Sequence, residues 1–408
     1  MTTTAAPSTA GRRVLRRLSR PTGERRRLTI EIHGTGTHNR GAELMAVAIA
    51  QRLHRTFPGV RLVVPPTYTF GKFEARSRYG FFTTWPEKGV RARLMAKIAP
   101  AWLTNLAGIV HASEVDVVLD ASGFAFSDQW GPQAALTLLN KMNSPERRRQ
   151  QLILLPQALG PFGQPEVAAA ARQLFARAKL VYARDSVSQQ LAEPLCGPDK
   201  LRLYPDFTVA VTPELPGDVD LPERFCALVP NFRMLDKSGQ AEPYLALLRR
   251  AVTGLRQRGL NPVFVLHDAQ EDRRVIEALA STGETLPVLE HSDPRVLKGI
   301  LGRADFVIGS RFHALVGALS QGVPCLGAGW SHKYPELFRS FDCAELLLSE
   351  LGDFAQLDNR LDTLADCEHR QSWRQLIQTA AAALKERTHR MWREVEDTIR
   401  AGAGVAGS

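Results

Sequence analysis

Short apolar runs rich in β-branched residues alternate with stretches of helical periodicity along most of this chain. The runs stay apolar at consecutive positions, which is typical of strands that are buried on both faces. Ten such strands are predicted: 28–33, 60–64, 115–119, 152–155 and 180–183 in a first group, and 225–229, 262–266, 286–289, 305–308 and 324–327 in a second. Buried strands separated by helices predict an α/β fold with parallel sheets that helices cover on both faces.

Helical periodicity fills the segments between many of these strands. The predicted helices are 42–54, 166–177, 244–258, 271–280, 294–302 and 314–321, and a long charged amphipathic helix follows at 369–400. This last helix is expected to lie against the body of the protein through its apolar side chains, namely Trp373, Leu376, Ile377, Leu384 and Trp392.

The alternation pauses at 204–222, a stretch rich in proline and acidic residues. Because 408 residues exceed the size at which one hydrophobic core stops growing, two domains are expected. The predicted organisation is a basic disordered tail at 1–27, an N-terminal Rossmann-like domain at 28–205, a linker at 206–222, a C-terminal Rossmann-like domain at 223–368 and the helix at 369–400. Two doubly wound domains that face a cleft are expected to bind ligands at the carboxyl ends of their strands.

The formal net charge of +10 is concentrated at the N-terminus. Residues 1–27 contain eight arginines and one acid, Glu24, which gives a net +7 and leaves +3 for the rest of the chain. A disordered, solvated tail is the plainest interpretation. The alternative is contact with an anionic membrane surface, with Val14, Leu15 and Leu18 entering the interface. No nucleic acid partner is expected, because no recognised nucleic-acid-binding module follows the tail.

The composition is that of an ordinary globular protein, with 44% hydrophobic and 23% charged residues. The sequence contains no run of about 18 uncharged apolar residues and no secretory signal, so a cytoplasmic protein is predicted, with a peripheral position on the inner face of the membrane as an alternative. The five cysteines are scattered and include no C-x-x-C pair, which favours a reducing compartment and argues against a zinc site.

Polar side chains cluster directly after the predicted strand 305–308: Ser310, Arg311 and His313. Lys333 follows the next strand, so two cations and an imidazole lie on neighbouring strand-end loops. Backbone amides at the start of the helix near His313 add donors for an anion. A lone histidine here would be interpreted more simply as a packed core residue, but the cluster indicates an anion site.

Further polar groups occur at strand ends in the first half of the chain. Arg184 is a fork-shaped donor suited to phosphate or carboxylate, and the alternative is an ion pair with Asp185 or Asp206. Gln157 is a neutral amide able to hold sugar hydroxyls, although a turn or capping role explains it equally well. The loop 120–124 also sits where a strand ends.

The loop 33–43 is rich in glycine and leads from a strand into a helix. Its glycines either let backbone amides approach a ligand or serve only a tight turn. Gly34, Gly36 and Gly41 are two and five residues apart, a spacing that does not fit the G-x-G-x-x-G fingerprint, so a nicotinamide or flavin site is not favoured.

Several of these motifs, taken in their order along the chain, resemble the motifs of the polysaccharide pyruvyltransferase family. The matching elements are Asn39-Arg40-Gly41-Ala42-Glu43, Gln157 to Phe162, Arg184 to Ser186, Pro205-Asp206, and Ser310 to Lys333. The resemblance spans about residues 30–340. It implies a glycosyltransferase-B-like fold of two Rossmann-like domains and the transfer of pyruvate from phosphoenolpyruvate to a sugar of a glycan or glycolipid as a ketal. The first loop is longer than in many relatives and lacks an acidic residue often found there, which leaves acceptor recognition open.

The resemblance also implies roles for individual residues. His313 is the catalytic acid that protonates the enol carbon. The donor-binding residues are Arg184, Ser310, Arg311 and Lys333. The acceptor-binding residues are Asn39, Arg40, Glu43 and Gln157. The N-terminal domain is then the acceptor side and the C-terminal domain the donor side, with phosphoenolpyruvate as co-substrate, no cofactor and no metal.

Two alternatives from other classes stay open. One is a glycosyltransferase or sugar epimerase that uses a nucleotide-diphosphate sugar on the same fold, with Glu336 as the nearest candidate for ribose recognition. The other is a catalytically silent sugar-binding protein, against which the intact cationic cluster argues.

The acceptor is expected to be a sugar or a lipid-linked glycan. A lipid-linked acceptor would give the basic tail and the segment 91–112 a reason to contact the membrane. The apolar residues of that segment are Leu94, Met95, Ile98, Trp102, Leu103 and Leu106. An ordinary helix packed on the first domain is the plainer interpretation of this segment.

Overall fold

The computed structural model describes residues 27–37, 40–66, 70, 73–85, 104, 107–236, 239–268, 270–281, 283, 285–329 and 331–403. Within these residues, two parallel sheets are covered by helices, which confirms the predicted α/β class. The predictions for the basic tail, for Asn39 and for most of the segment 91–112 lie outside the described residues.

The first sheet contains eight strands: β1 (Thr29–His33), β2 (Arg61–Val64), β3 (Phe82–Thr84), β4 (Ile109–Val110), β5 (Val117–Asp120), β6 (Gln151–Gln157), β7 (Leu180–Ala183) and β8 (Leu201–Leu203). Their order is β4-β3-β2-β1-β5-β6-β7-β8, and all neighbours are parallel. The chain adds strands outward from β1 on one side and resumes on the other side with β5. The strand order therefore reverses between β1 and β5.

The second sheet contains β9 (Cys226–Val229), β10 (Pro262–Val265), β11 (Val288–Leu289), β12 (Val307–Gly309) and β13 (Cys325–Gly327). Its order is β11-β10-β9-β12-β13, again with parallel neighbours, so the reversal falls between β9 and β12. In open parallel sheets the crevice at such a reversal is the usual ligand site.

The described helices are α1 (Arg40–Thr56), α2 (Phe73–Ser77), α3 (Gln133–Met142), α4 (Pro165–Arg177), α5 (Ser186–Cys196), α6 (Arg233–Asp236), α7 (Ala241–Gln257), α8 (Arg273–Ala280), α9 (Pro294–Arg303), α10 (Phe312–Leu319), α11 (Lys333–Ser340), α12 (Phe354–Ala365) and α13 (Cys367–Ala403). All ten predicted strands and all seven predicted helices coincide with observed elements. Strands β3, β4 and β8 are not predicted, because no apolar run marks them: β3 and β8 contain polar residues (Thr83, Thr84 and Arg202), and β4 is an apolar pair between Gly108 and His111. The helical interpretation of 91–112 is wrong at Ile109–Val110, which form β4.

Apolar residues on both faces of the first sheet explain why its strands lack alternation. Val117 and Leu119 pack with α1 in one core cluster, whereas Val118 packs with α3 and α4 in another. Each strand therefore buries consecutive residues, as the uninterrupted apolar runs require.

One charged residue interrupts the apolar centre of this sheet. Glu31 of β1 is fully buried and is contacted by Lys141 Nζ at 2.6 Å, Arg147 Nη1 at 2.6 Å and His33 Nε2 at 2.9 Å. Burial opposes the charge of Glu31, but Lys141, His33 and Arg147 together hold the pKa of its carboxyl well below the ordinary value. The first residue of the glycine-rich loop, His33, is thus bound to a structural carboxylate.

The C-terminal helix α13 packs on both sheets, and its presence confirms the prediction of a long helix. Ile377 and Leu384 join the core of the second sheet, and Trp392 and Ile399 join a core of the first. Leu376 is 43% exposed, so its predicted inward position is wrong, because the adjacent Ile377 occupies the buried face. None of the helices formed by the described residues is long and apolar enough to cross a membrane.

The segment between β8 and β9 lies between the two sheets. It includes a 3-10 helix, Phe207–Ala210, whose Phe207 packs in a core of the first sheet while Val209 packs in the core of the second. Lys298 of α9 donates to the carbonyl oxygen of Thr208 at 2.9 Å. Together with α13, these contacts connect the two sheets. The domain boundaries stay a prediction.

Candidate active site

A cavity of about 260 Å³ lies between the two sheets, at the carboxyl ends of the strands where both orders reverse. The first sheet contributes Gly34 after β1 and Ser122 after β5 to its wall. The second contributes Asn231 after β9 and Arg311 after β12. The topology of both sheets thus converges on one site.

Four predicted residues, which follow three different strands, line this cavity: Arg184, Arg311, His313 and Lys333. Arg184 follows β7, and Arg311 is the residue before α10. His313 lies in the first turn of α10, and Lys333 begins α11. The structure therefore brings the predicted donor-site cations and the imidazole together.

Arg184 is nearly buried and forms the ion pair with Asp206 that the sequence left as an alternative. Its Nη1 donates to Asp206 Oδ2 at 3.1 Å, and its guanidinium lies 4.1 Å from the centre of the Phe312 ring. Its Nε is buried and makes no hydrogen bond to the described residues. Because Arg184 also lines the cavity, its guanidinium is placed to contact an anion there in addition to Asp206.

His313 is held between two segments that are distant in sequence. Its Nε2 lies 3.5 Å from Asp206 Oδ2, and its ring packs against Gly41 at the start of α1 so closely that a Cβ added to Gly41 would lie 2.8 Å from His313 Cγ. Asp206 also accepts from the backbone amide of Thr208 at 2.9 Å. Burial raises the pKa of Asp206, but His313, Arg184 and Thr208 outweigh it, so the pKa lies below the ordinary value and the carboxyl is ionised at neutral pH.

Lys333 is half-buried among aromatic rings and other cations. Its Nζ lies 5.2 Å from the centre of the Phe124 ring and 5.3 Å from that of Tyr334. Burial, with repulsion from Arg184 and Arg311, lowers the pKa of Lys333 to about 7. A bound anion would relieve this repulsion and favour the ammonium form.

Arg311 is fixed by the buried Asp272, which accepts from its Nε at 2.9 Å and also from Nη2. Ser310 does not belong to the cavity wall. Its hydroxyl lies 2.6 Å from the Tyr244 hydroxyl, and its carbonyl oxygen accepts from Asn231 Nδ2 and Tyr334 Oη, both at 2.7 Å. The structure thus gives Ser310 a supporting position beneath the site.

Of the predicted acceptor residues that are described, only Arg40 reaches the cavity wall. Glu43 is buried and accepts from Arg40 and from the Tyr79 hydroxyl. Gln157 is also buried and donates to Asp120 Oδ1 at 3.3 Å. Gln157 ends β6 and turns toward the core, and Glu43 lies on the buried side of α1, so neither side chain reaches the cavity wall.

The glycines of the first loop are explained by close packing between segments of the protein. Gly34 has a φ of +73°, and a Cβ there would collide with the backbone of Ser122. Gly41 makes the close approach to His313 described above. The two glycines therefore let β1 approach β5 and let α1 approach α10.

Several wall residues are not among the predicted site residues. His267 follows β10 and Asn231 follows β9, and both occupy strand ends that the same reasoning would have selected. Burial, followed by the charges of Arg311, His313 and Arg40, lowers the pKa of His267 to about 3, so this imidazole is neutral at physiological pH. Trp130 also lines the cavity although it is 45% exposed, and an aromatic face open to solvent is a candidate contact for a ligand.

The charge of the cavity wall is positive. Its cationic side chains are Arg40, Arg184, Arg233, Arg311 and Lys333, and no aspartate or glutamate is among the described residues that line it. Glu336, the candidate for ribose recognition, lines a different cavity and accepts from the Ser186 hydroxyl at 2.5 Å. No group of three potential metal ligands occurs among the described residues. The arrangement is suited to binding a small, multiply charged anion beside an imidazole.

Comparison with known proteins agrees with this architecture. Residues 39–332 match the family model for polysaccharide pyruvyl transferase. A glycosyltransferase from Rickettsia africae has 11% sequence identity and a TM-score of 0.56, over 94% of this chain and 100% of that one. A UDP-GlcNAc 2-epimerase from Neisseria meningitidis, bound to UDP-GlcNAc, has 11% identity and a TM-score of 0.52, over 89% and 99%. These likenesses concern the fold, which is glycosyltransferase-B-like. No curated protein sequence matches the chain.

Proposed function

Because the chain belongs to the polysaccharide pyruvyl transferase family, we propose that it transfers pyruvate from phosphoenolpyruvate to a sugar of a glycan or glycolipid as a cyclic ketal. The observation that carries this proposal is the convergence of Arg184, Arg311, Lys333 and His313 on one positively charged cavity. Phosphoenolpyruvate carries a phosphate and a carboxylate, and two anionic groups require at least two cations.

Donor binding is assigned to the three cations. Arg184 and Lys333, which both line the cavity, take the phosphate. Arg311, held in place by Asp272, takes the carboxylate. The backbone amides at the start of α10 add to the positive potential. Ser310 supports this group from below, through the hydrogen bonds of its carbonyl oxygen.

His313 acts as the acid in this mechanism. It donates a proton to the methylene carbon of the donor, which leaves a cationic centre at the neighbouring carbon. One acceptor hydroxyl bonds to that carbon and loses its proton. Phosphate then leaves with the former bridging oxygen, and a second hydroxyl of the same sugar closes the ring and loses its proton. One hydroxyl proton restores the imidazolium and the other leaves with hydrogen phosphate, so the reaction needs no cofactor and no redox partner.

Asp206 is the positioning residue for this acid. Its ionised carboxylate, 3.5 Å from His313 Nε2, offers a counter-charge to the imidazolium and restricts the ring orientation. The same carboxylate binds Arg184, so one residue positions the acid and a donor-binding cation together.

The acceptor is assigned to the wall formed by the first sheet. Ser122 presents a hydroxyl that is hydrogen-bonded to the buried Asp120 at 2.9 Å, and Phe124 and Trp130 present aromatic surface. An amphipathic sugar ring suits a wall of this mixed character. Arg40 stays in this proposal as an acceptor contact, whereas Glu43 and Gln157 support the wall from behind.

A cytoplasmic location is proposed because phosphoenolpyruvate is a cytoplasmic metabolite and the five cysteines are free thiols. A lipid-linked acceptor would bring the protein to the inner face of the membrane as a peripheral partner. Vesicle sedimentation with and without anionic lipid, compared with a chain that begins at residue 28, tests this extension.

The decisive experiment is incubation with phosphoenolpyruvate and a panel of sugar acceptors, read by mass spectrometry. The expected product is heavier than the acceptor by one pyruvate less one water. His313→Ala is the matched inactive control. Thermal-shift measurements with phosphoenolpyruvate and with nucleotide sugars separate this function from a nucleotide-sugar enzyme, since stabilisation by nucleotide sugars alone would refute the proposal.

A further inference from the structure

A second cavity of about 260 Å³ adjoins the first, and Arg184, Phe312 and Lys333 line both. These three residues form a partition. The Arg184 guanidinium lies 4.1 Å from the centre of the Phe312 ring, and Lys333 Nζ lies 5.6 Å from the same centre. The two cations assigned to the donor phosphate therefore belong to the walls of both cavities.

A further cation lies in the wall of this second cavity. Arg387 of α13 lines it and donates through Nη2 to the carbonyl oxygen of Leu203 at 3.3 Å. Since that carbonyl is neutral, this contact does not balance the positive charge of Arg387. Three acids also line this cavity, and each already has a partner. Asp185 accepts from the backbone amide of Ser188 at 2.7 Å, Asp206 is paired with Arg184, and Glu336 is bound by Ser186 and Arg339. Arg387 has no acidic partner among the described residues, so it adds a cation to the second cavity beyond the donor site.

The apolar part of this wall is formed by side chains such as Leu337, Phe341 and Leu384. Because apolar side chains lower the local dielectric constant, they strengthen the attraction of Arg387 for an anion. A water molecule occupies about 30 Å³ in the liquid, so the cavity has room for a tetrahedral oxyanion and several waters. The cation Arg387 and the volume of the cavity are suited to a small anion.

We propose that this second cavity binds orthophosphate and is the route by which phosphate leaves after carbon–oxygen cleavage. The inference rests on the proposed function, which produces phosphate at Arg184 and Lys333 while the new ketal occupies the acceptor side of the first cavity. Movement of these two side chains transfers the anion across the partition. Arg387 receives it, and the donor site is free for the next phosphoenolpyruvate.

The test is calorimetric titration of inorganic phosphate into the full-length protein saturated with phosphoenolpyruvate, with no acceptor present, so that no turnover occurs. One phosphate is expected to bind per chain. Arg387→Ala is expected to weaken this binding about tenfold or more, because hydrogen bonds to charged groups contribute about 1.5–3 kcal/mol. Arg387→Lys keeps the charge and should restore most of the affinity. Arg390→Ala, an exposed position on the same helix, is the matched control and should bind as the wild type does.

The outcomes separate this inference from the function on which it rests. If phosphoenolpyruvate binds but no phosphate joins it, or if Arg387→Ala binds phosphate as tightly as Arg390→Ala, the exit site is refuted and the proposed function stands. If phosphoenolpyruvate itself does not bind, both are refuted. Saturation with phosphoenolpyruvate is therefore established first, by thermal shift.

Discussion

Replacement of Gly41 by alanine perturbs the acid without removing any chemical group from the site. Gly41 lies in the first turn of α1, and its φ is not positive, so the backbone accepts alanine. In a helix, alanine in place of glycine stabilises by about 0.5–1 kcal/mol. The added methyl group, however, would meet the His313 ring across the interface between the two sheets.

The size of the effect follows from the contact distances. The new Cβ would lie 2.8 Å from His313 Cγ and closer still to Nδ1. Carbon atoms in contact are normally about 3.5–4.0 Å apart, so the ring or the helix must shift by about 0.7 Å or more. A misplacement of about 1 Å in a catalytic arrangement can reduce the rate about 10²-fold. We expect a fall in kcat of about 10- to 100-fold, with little change in the KM for phosphoenolpyruvate, because Arg184, Arg311 and Lys333 are untouched.

The assay is steady-state pyruvyl transfer, with the melting temperature measured in parallel to confirm folding. Gly352→Ala is the matched control, since a Cβ there meets nothing within 4 Å. Truncation of His313 to alanine removes the ring that the methyl group meets, so Gly41→Ala should cause little further loss in that background. Wild-type turnover in Gly41→Ala, or a loss that is equally large with and without the imidazole, would refute the reasoning.

Three other outcomes are expected. His313→Ala should lower turnover by about 10²-fold or more, whereas Arg184→Ala and Arg311→Ala should chiefly raise the KM for phosphoenolpyruvate; equal kinetics in all four proteins would contradict the assignment. Phosphoenolpyruvate binding should take up protons near pH 7 and weaken as the pH rises above 7, because the lowered pKa of Lys333 rises when an anion binds. Calorimetry in two buffers measures the proton uptake, and Lys333→Met should show neither effect. Asp206→Asn should lower the melting temperature most at neutral pH. The pKa of Asp206 is lower in the folded protein than its ordinary value of about 3.9, so the ionised carboxylate stabilises the fold above pH 3.9, and the difference in melting temperature between wild type and variant should shrink as the pH falls below 3.9. A difference that does not depend on pH would show that the charge of Asp206 is not the cause.

The strands illustrate which parts of the fold are encoded locally. Apolar runs such as 152–155 and 305–308 are recognisable because a strand buried on both faces must be apolar at every position. Strands β3 and β8 contain polar residues and β4 is only an apolar pair, so no apolar run marks them, and they form by pairing with neighbouring strands. The sequence predicts the inward face of α13 only in part, since the adjacent residues Leu376 and Ile377 are both apolar but only Ile377 faces the core.

The candidate site also has residues that the sequence identifies and residues whose position depends on packing. Arg184, Arg311, His313 and Lys333 were identifiable because each follows a buried strand, and the carboxyl ends of parallel strands share one edge. His267 also follows a buried strand but is not among the predicted site residues. The directions in which Ser310 and Gln157 point at their strand ends, and Glu43 points from α1, depend on packing between segments, which a linear pattern does not contain.

The glycine-rich loop that leads into α1 shows the difference between what the sequence encodes locally and what depends on the tertiary structure. By itself, the sequence determined that two sets of buried parallel strands alternate with helices and that cations and an imidazole follow particular strands, because burial and chain direction are local properties. Only the tertiary structure decided that Gly41 packs against His313, that Asp206 contacts both His313 and Arg184, and that the two cavities share a wall. These contacts join residues far apart in sequence, and they depend on strand order and on how the two sheets face each other.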